Sequence, residues 1–130
     1  MGKKVLVVDD DPDVLLFTVT VLEEHGYTPL QAADGVEGLK MIKEEKPDLV
    51  ILDIMMPRQS GIRLYRELKT DKSLKNIHVI VLSGIAKRTF LRSQKALTEF
   101  GGPEVPEPEI YLEKPVEAED LAKTIKDVIG

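Results

Sequence analysis

The chain has 130 residues, no cysteine and a formal charge of −5 at pH 7. That length suits one domain with a real core, the missing cysteines exclude disulfides and thiolate metal sites, and the acidic balance argues against a general nucleic-acid-binding surface. No apolar run approaches the roughly 20 residues of a membrane-spanning helix, and Met1-Gly2-Lys3-Lys4 carries no signal- or transit-peptide pattern, so a soluble cytoplasmic domain over residues 1–130 is expected.

Val5-Leu6-Val7-Val8 is a continuous branched apolar run that ends in Asp9, Asp10 and Asp11. Such a run reads as a strand buried on both faces. Asp11-Pro12 has the form of a helix start, with Asp11 capping and Pro12 in the first helical position; this leaves Asp9 and Asp10 without a capping role. Val14, Leu15, Phe17, Val21 and Leu22 supply the helix's apolar face, and Gly26 after His25 a C-cap. Thr28 to Ala32 reads as a short strand and Asp34-Gly35 as a turn. Val36, Leu39, Met41 and Ile42 carry a helix that stops before Lys46-Pro47. Leu49-Val50-Ile51-Leu52-Asp53 is the third strand, again ended by a carboxylate, and Pro57 beyond it cannot extend a ladder. Ser60-Gly61 opens a helix with Ser60 as cap and Ile62, Leu64, Tyr65 and Leu68 inward. His78 to Leu82 is the fourth strand, closed by Ser83-Gly84. A fourth helix runs from near Lys87 to about Glu99, with Phe90, Leu91, Leu97 and Phe100 inward and Lys87, Arg88, Arg92 and Lys95 elsewhere. Phe100 to Glu109 holds three prolines and two glycines, which forbid regular structure. Ile110 to Glu113 is a short fifth strand before Lys114-Pro115, and Leu121, Ile125 and Val128 mark a last amphipathic helix.

Strands that alternate with helices run parallel, with right-handed crossovers and helices on both faces. All strands of such a sheet end on the same side, so Asp9, Asp10, Asp53, Ser83 and Lys114 converge there. Three carboxylates in one place repel, and a divalent cation relieves them; hard oxygen donors suit Mg²⁺, which keeps some waters and favours a phosphate co-ligand. Lys114 adds a mobile positive charge able to pair with Asp53 or a phosphoryl oxygen, and Ser83 a hydroxyl donor. Together they describe a site for phosphoryl transfer to a central carboxylate. Each residue also has an ordinary alternative: Asp9 to Asp11 as an acidic capping turn, Lys114 as a solvated lysine, Ser83 as a helix cap, Tyr111 as static core. His25 and His78 receive no phosphotransfer role.

The ordered set Val5 to Asp10, Asp53-Ile54-Met55-Met56-Pro57 with Gly61, Ser83-Gly84 and Tyr111-Leu112-Glu113-Lys114-Pro115 resembles the receiver domain of two-component response regulators, the CheY-like family, along the whole chain. The resemblance implies a flavodoxin-like doubly wound (βα)5 three-layer sandwich with strand order 2-1-3-4-5. It implies Asp53 as phosphate acceptor, receiving the group from a phosphohistidine of a sensor histidine kinase or phosphotransfer protein. Asp10, Asp53 and the backbone carbonyl of Met55 would bind Mg²⁺, with Asp9 acting through a water, and Lys114, joined to Pro115 by a cis bond, would contact the phosphoryl group. Ser83 and Tyr111 would form a switch that alters the face of helix four, strand five and helix five, where a downstream protein partner docks or a second copy dimerises. No direct contact with nucleic acid or membrane is implied, and no enzymatic turnover beyond the domain's own phosphorylation and dephosphorylation. With no DNA-binding module after helix five, the chain is expected to be a single-domain regulator or a receiver cut from a longer protein.

Two departures stand out. Ser83 and Lys114 are 31 positions apart, more than is usual in the family, and the excess falls in Phe100 to Glu109; this acidic, proline-rich segment is either inert or reshapes the output face. Apolar Met55 and Ile85 flank the phosphoryl position and cannot hold an attacking water, which implies slow self-dephosphorylation. Two rivals remain at this point: an interaction module that is never phosphorylated, and a haloacid-dehalogenase-type phosphatase, which would need a second Asp where Met55 stands.

Overall fold

In the computed structural model, which describes residues 2–102 and 104–130, the strands are β1 (Lys4–Val8), β2 (Thr28–Ala32), β3 (Leu49–Leu52), β4 (His78–Ser83) and β5 (Ile110–Glu113). Between and after them come α1 (Pro12–Glu24), α2 (Gly35–Glu45), α3 (Ser60–Thr70), α4 (Lys87–Glu99) and α5 (Ala118–Ile129). Every pairing is parallel, in the order β2-β1-β3-β4-β5. The parallel pairing is what the alternation predicts, and the order is that of the doubly wound, flavodoxin-like sheet implied by the resemblance.

The unbroken apolar runs account for the layering, because successive strand side chains point to opposite faces. Leu6, Val8, Val50, Leu52, Val79 and Val81 meet Ile42, Leu64, Tyr65, Leu68 and Phe90 from α2, α3 and α4. Val5, Val7, Leu49, Ile51, Ile80 and Leu82 meet Val21, Leu22, Leu121, Ile125 and Ile129 from α1 and α5. A strand alternating with polar residues could serve only one of these layers.

The helix ends follow local chemistry. Asp11 Oδ1 accepts from the Asp13 amide at 2.9 Å and Pro12 opens α1; Gly26, at φ 81°, follows the His25 C-cap. Where a turn was expected at Asp34-Gly35, Asp34 instead caps α2, its Oδ1 accepting from the Glu37 amide at 2.8 Å, and Gly35 is already helical. Pro47 displaces Lys46 from the helical region, into a left-handed C-cap at φ 48°.

Four other residues depart from expectation. Ser60 is not a cap: a single 3₁₀ turn at Pro57–Gln59 leads into α3, Ser60 is its first residue, and its Oγ is buried without a partner among the described residues. Phe17 and Leu97 are partly exposed and Phe100 is 91% exposed. In α4 the buried positions are Phe90 and Gln94, because Arg66 of α3 donates to Gln94 Oε1 at 2.7 Å and makes a polar residue acceptable inside. The apolar pattern pointed to a neighbouring flank.

Gly61 lets α3 sit directly on the chain leaving β3. A Cβ there would lie 2.2 Å from the Asp53 carbonyl oxygen and 2.5 Å from Ile54 Cα. Gly61→Ala should therefore lower stability by about 2 kcal/mol or more, since backbone must move to admit the methyl group. Urea unfolding tests this, and wild-type stability in the variant would contradict such tight packing.

Candidate functional site

The ladder continues one step past β1, β3 and β5 and so fixes the site residues. The Asp9 amide donates to the Ala32 carbonyl at 3.1 Å, the Asp53 amide to Val8 at 2.9 Å, and the Lys114 amide to Ser83 at 2.8 Å. Asp9 follows β1, Asp53 follows β3, Ser83 ends β4 and Lys114 follows β5. Residues scattered over the sequence thus share one rim, as expected from the parallel topology.

There one carboxylate oxygen from each of Asp9, Asp10 and Asp53 lies within 4.8 Å of the other two. Asp9 and Asp53 are 2% and 5% exposed, whereas Asp10 faces solvent. Two unit charges at that separation repel by roughly 1 kcal/mol in bulk water and about 3–4 kcal/mol at an effective dielectric near 20. One cation responds to this: Lys114 Nζ stands 2.9 Å from Asp9 Oδ2 and 3.4 Å from Asp53 Oδ2. The lysine is closer to Asp9 than to Asp53, a preference that the sequence does not carry.

The ionisation of the pair shows what is still uncompensated. Burial raises the Asp9 pKa, outweighing the lowering by the Asp11 amide, which donates to Oδ1 at 2.9 Å, and by Lys114. Burial works against the Lys114 ammonium, yet the hydrogen bond to Asp9 and the charges of Asp53 and Asp9 outweigh it and raise its pKa. Lys114 therefore stays charged, while Asp9 remains short of positive partners. Three carboxylates and no nitrogen or sulfur donor make a hard oxygen set, open to solvent at Asp10, which fits a divalent cation that keeps part of its water. Met55 belongs to the same corner, its amide donating to Asp53 Oδ1 at 2.9 Å while its side chain is exposed.

Ser83 is fully buried, and its Oγ stands 3.5 Å from the Ile85 amide. It is not the cap of α4, whose N-cap is Ala86. Tyr111 is half-buried and donates its hydroxyl to the Ile85 carbonyl at 2.7 Å. Burial, the largest effect, pushes its phenol up to about 12. The Lys114–Pro115 bond is cis. His78 pairs with Glu109 at 2.7 Å, at the opposite end of β4 from Ser83. Sequence reasoning missed the Ile85 carbonyl as the anchor of Tyr111, and it missed a bond from the Tyr65 hydroxyl to the Pro106 carbonyl. Tyr65 looks like any apolar helix position, and backbone acceptors leave no mark on a sequence.

Residues 5–126 match the family model of the response regulator receiver domain. The chain belongs to that family. This receiver is 34% identical to PilH of Pseudomonas aeruginosa over 127 residues, covering 98% of each chain. It is 29% identical to the polar-differentiation response regulator DivK of Brucella anthropi, over 100% of this chain and 98% of DivK. Among solved structures, the chemotaxis protein CheY4 of Vibrio cholerae matches with a TM-score of 0.82 at 26% identity, covering 99% of this receiver and 100% of CheY4.

Magnesium added to the metal-free receiver should raise its melting temperature, because a ligand that binds only the folded state stabilises it by about 2.7 kcal/mol at a hundredfold excess over Kd. Asp10→Asn should abolish that response without destabilising the metal-free form, as it removes one of the repelling charges. A wild-type melting temperature indifferent to excess magnesium would contradict the fit.

Proposed function

We propose that this receiver accepts a phosphoryl group on Asp53 from the phosphohistidine of a sensor histidine kinase or phosphotransfer protein, in a magnesium-dependent step, and passes the signal to a protein partner through α4, β5 and α5. The reading rests on the convergence of Asp9, Asp10, Asp53 and Lys114 at one rim. An Asp53 oxygen forms the new P–O bond as the P–N bond to the imidazole breaks, and the departing nitrogen takes a proton from solvent. Magnesium, held by Asp10, Asp53 and the Met55 carbonyl with Asp9 acting through a water, would neutralise charge on the phosphoryl oxygens. Lys114, already poised beside Asp53, moves its ammonium to a phosphoryl oxygen, and the Ser83 hydroxyl donates to another.

The switch follows from the same contacts. As Ser83 turns toward the phosphoryl group, Tyr111, half-buried against Phe90 with its hydroxyl on the Ile85 carbonyl, would occupy the space released, so that a local charge change biases a two-state element. Lys87, Arg88, Arg92 and Lys95 of α4 form no ion pair among the described residues, which leaves them available to a partner. The receiver turns over no separate substrate and assists only its own phosphorylation and dephosphorylation. No helix among the described residues is long and apolar enough to cross a membrane, and we place the domain in the cytoplasm beside its kinase.

Incubation with acetyl phosphate and Mg²⁺ should add one phosphoryl group by intact mass, and none in Asp53→Asn. A folded wild-type protein that gains no mass would instead be an interaction module. Exposed Met55 and half-buried Ile85 offer an attacking water no polar anchor, so the phosphorylated form should persist for minutes or longer with magnesium present. Decay within seconds would show that water is positioned by other groups.

A further inference from the structure

α2 follows β2 and α3 follows β3, so both helices start at the carboxyl edge of the sheet and pack on the same face. They meet closely near their starts because α2 presents glycine to α3. A Cβ on Gly35 would lie 2.4 Å from the Ser60 carbonyl oxygen, and one on Gly38 would lie 3.1 Å from Leu64 Cδ2. That contact forms a floor, and the longer side chains on either side of it stand as walls. The cleft between them has a volume of about 910 Å³ and reaches Asp10 at the rim. Small-molecule sites span roughly 300–1,000 Å³.

The walls carry charge that the fold does not use. α2 contributes Lys40 and Lys43, and the opposite wall contributes Arg58 and Arg63. All four are exposed, and among the described residues none of them makes an ion pair or a side-chain hydrogen bond. Arg58 has φ 62° and ψ 22°, a left-handed conformation that glycine adopts at less cost. A glycine there would leave the wall without that guanidinium. Three acids share the lining, and two of them are engaged: Asp34 caps α2 through Oδ1, and Asp10 belongs to the rim cluster. Glu67 is the third. Four cations against three acids leave +1 on this lining, in a chain whose net charge is −5. Apolar surface adjoins the charges, for Val36 is 81% exposed, Pro57 is exposed and Leu39 is half-buried.

We propose that this cleft binds a nucleoside di- or triphosphate, with its phosphates on Lys40, Lys43, Arg58 and Arg63 and its base and sugar against Val36, Leu39 and Pro57. Arginine forks take phosphate oxygens two at a time, and lysine adds a compact positive charge on a flexible stem. The organic body covers apolar side chains that otherwise stay in water. A bare anion uses one half of such a lining and an uncharged apolar molecule the other half, whereas a nucleotide uses both. An acidic peptide spreads its carboxylates along an extended chain, while a polyphosphate concentrates its charge on one ligand of the cleft's size. The site lies outside α4, β5 and α5 and needs no movement of Ser83 or Tyr111. It gives the receiver a small-molecule input that is independent of the phosphoacceptor reading.

Titration calorimetry of the unphosphorylated receiver in EDTA, which keeps divalent ions from the rim, reads this cleft without the metal site. ATP or GTP should bind at low salt with a Kd of about 100 µM or tighter. Tripolyphosphate should bind at least about fivefold more weakly, because it leaves Val36 and Leu39 uncovered, and adenosine should give no heat. Arg63→Gln and Lys40→Gln, which alter exposed side chains, should each weaken nucleotide binding by at least about tenfold. Lys72→Gln and Lys75→Gln, outside the cleft, should leave it unchanged. Nucleotide-induced amide shifts should gather at Val36, Leu39, Lys40 and Arg63. Failure of both nucleotides to bind at about 1 mM would overturn the inference. Tripolyphosphate or hexaglutamate binding as tightly as ATP, an unaltered affinity in Arg63→Gln, or shifts gathered on α4 would overturn it too. None of these outcomes depends on phosphorylation, so the phosphoacceptor reading is decided separately by its mass measurement.

Discussion

Three carboxylates meet against their mutual repulsion at the carboxyl edge of the sheet, and the two buried ones, Asp9 and Asp53, are held there by the sheet itself. Asp9 and Asp53 are each fixed by a backbone hydrogen bond to the neighbouring strand, to Ala32 and Val8. Those bonds exist because β1 and β3 lie side by side in the middle of the sheet, buried on both faces by two apolar layers. Moving the Asp9 and Asp53 backbones apart would mean slipping a central strand, which would expose apolar side chains worth about 1.5–3 kcal/mol each. The core is thus the clamp that keeps the charges together, and Lys114 relieves only part of the strain because it arrives from β5 and reaches Asp9 more closely than Asp53. A site in this condition favours any incoming positive charge and, once that charge is present, tolerates one more negative group.

The same clamp explains what was legible in the sequence. Continuous branched runs ending in acids mark buried parallel strands, and parallel strands bring their ends together, so the sequence alone groups Asp9, Asp10, Asp53, Ser83 and Lys114. Features set by side chain meeting backbone were not legible. Ser60 looks like a helix cap, but the 3₁₀ turn ahead of it satisfies the helix entry another way. Phe100 looks like core, but α4 turns Gln94 inward because Arg66 waits for it on α3. The preference of Lys114 for Asp9 depends on a few tenths of an ångström that no residue pattern encodes.

The segment from Phe100 to Glu109 shows how a familiar architecture acquires a feature of its own. Its prolines and glycines forbid helix or strand, and that much the composition states. What the composition hides is that Val105 and the Pro106 carbonyl are built into the layer that houses the aromatic switch, so an irregular loop becomes continuous with the core. Its Glu107 also lies beside the cationic stripe of α4, in a protein whose net charge has the opposite sign to that stripe. Shape and charge at this face are therefore set by one short stretch of chain.

The most direct test of the central claim is a crystal structure of the receiver soaked in Mn²⁺, with the ion located by its anomalous signal. The account predicts a single strong peak at the rim, bound by the carboxylates of Asp10 and Asp53 and the Met55 carbonyl, with Lys114 within reach of Asp53. A peak elsewhere on the surface, or an ion at the rim that leaves Asp53 uncoordinated, would contradict it.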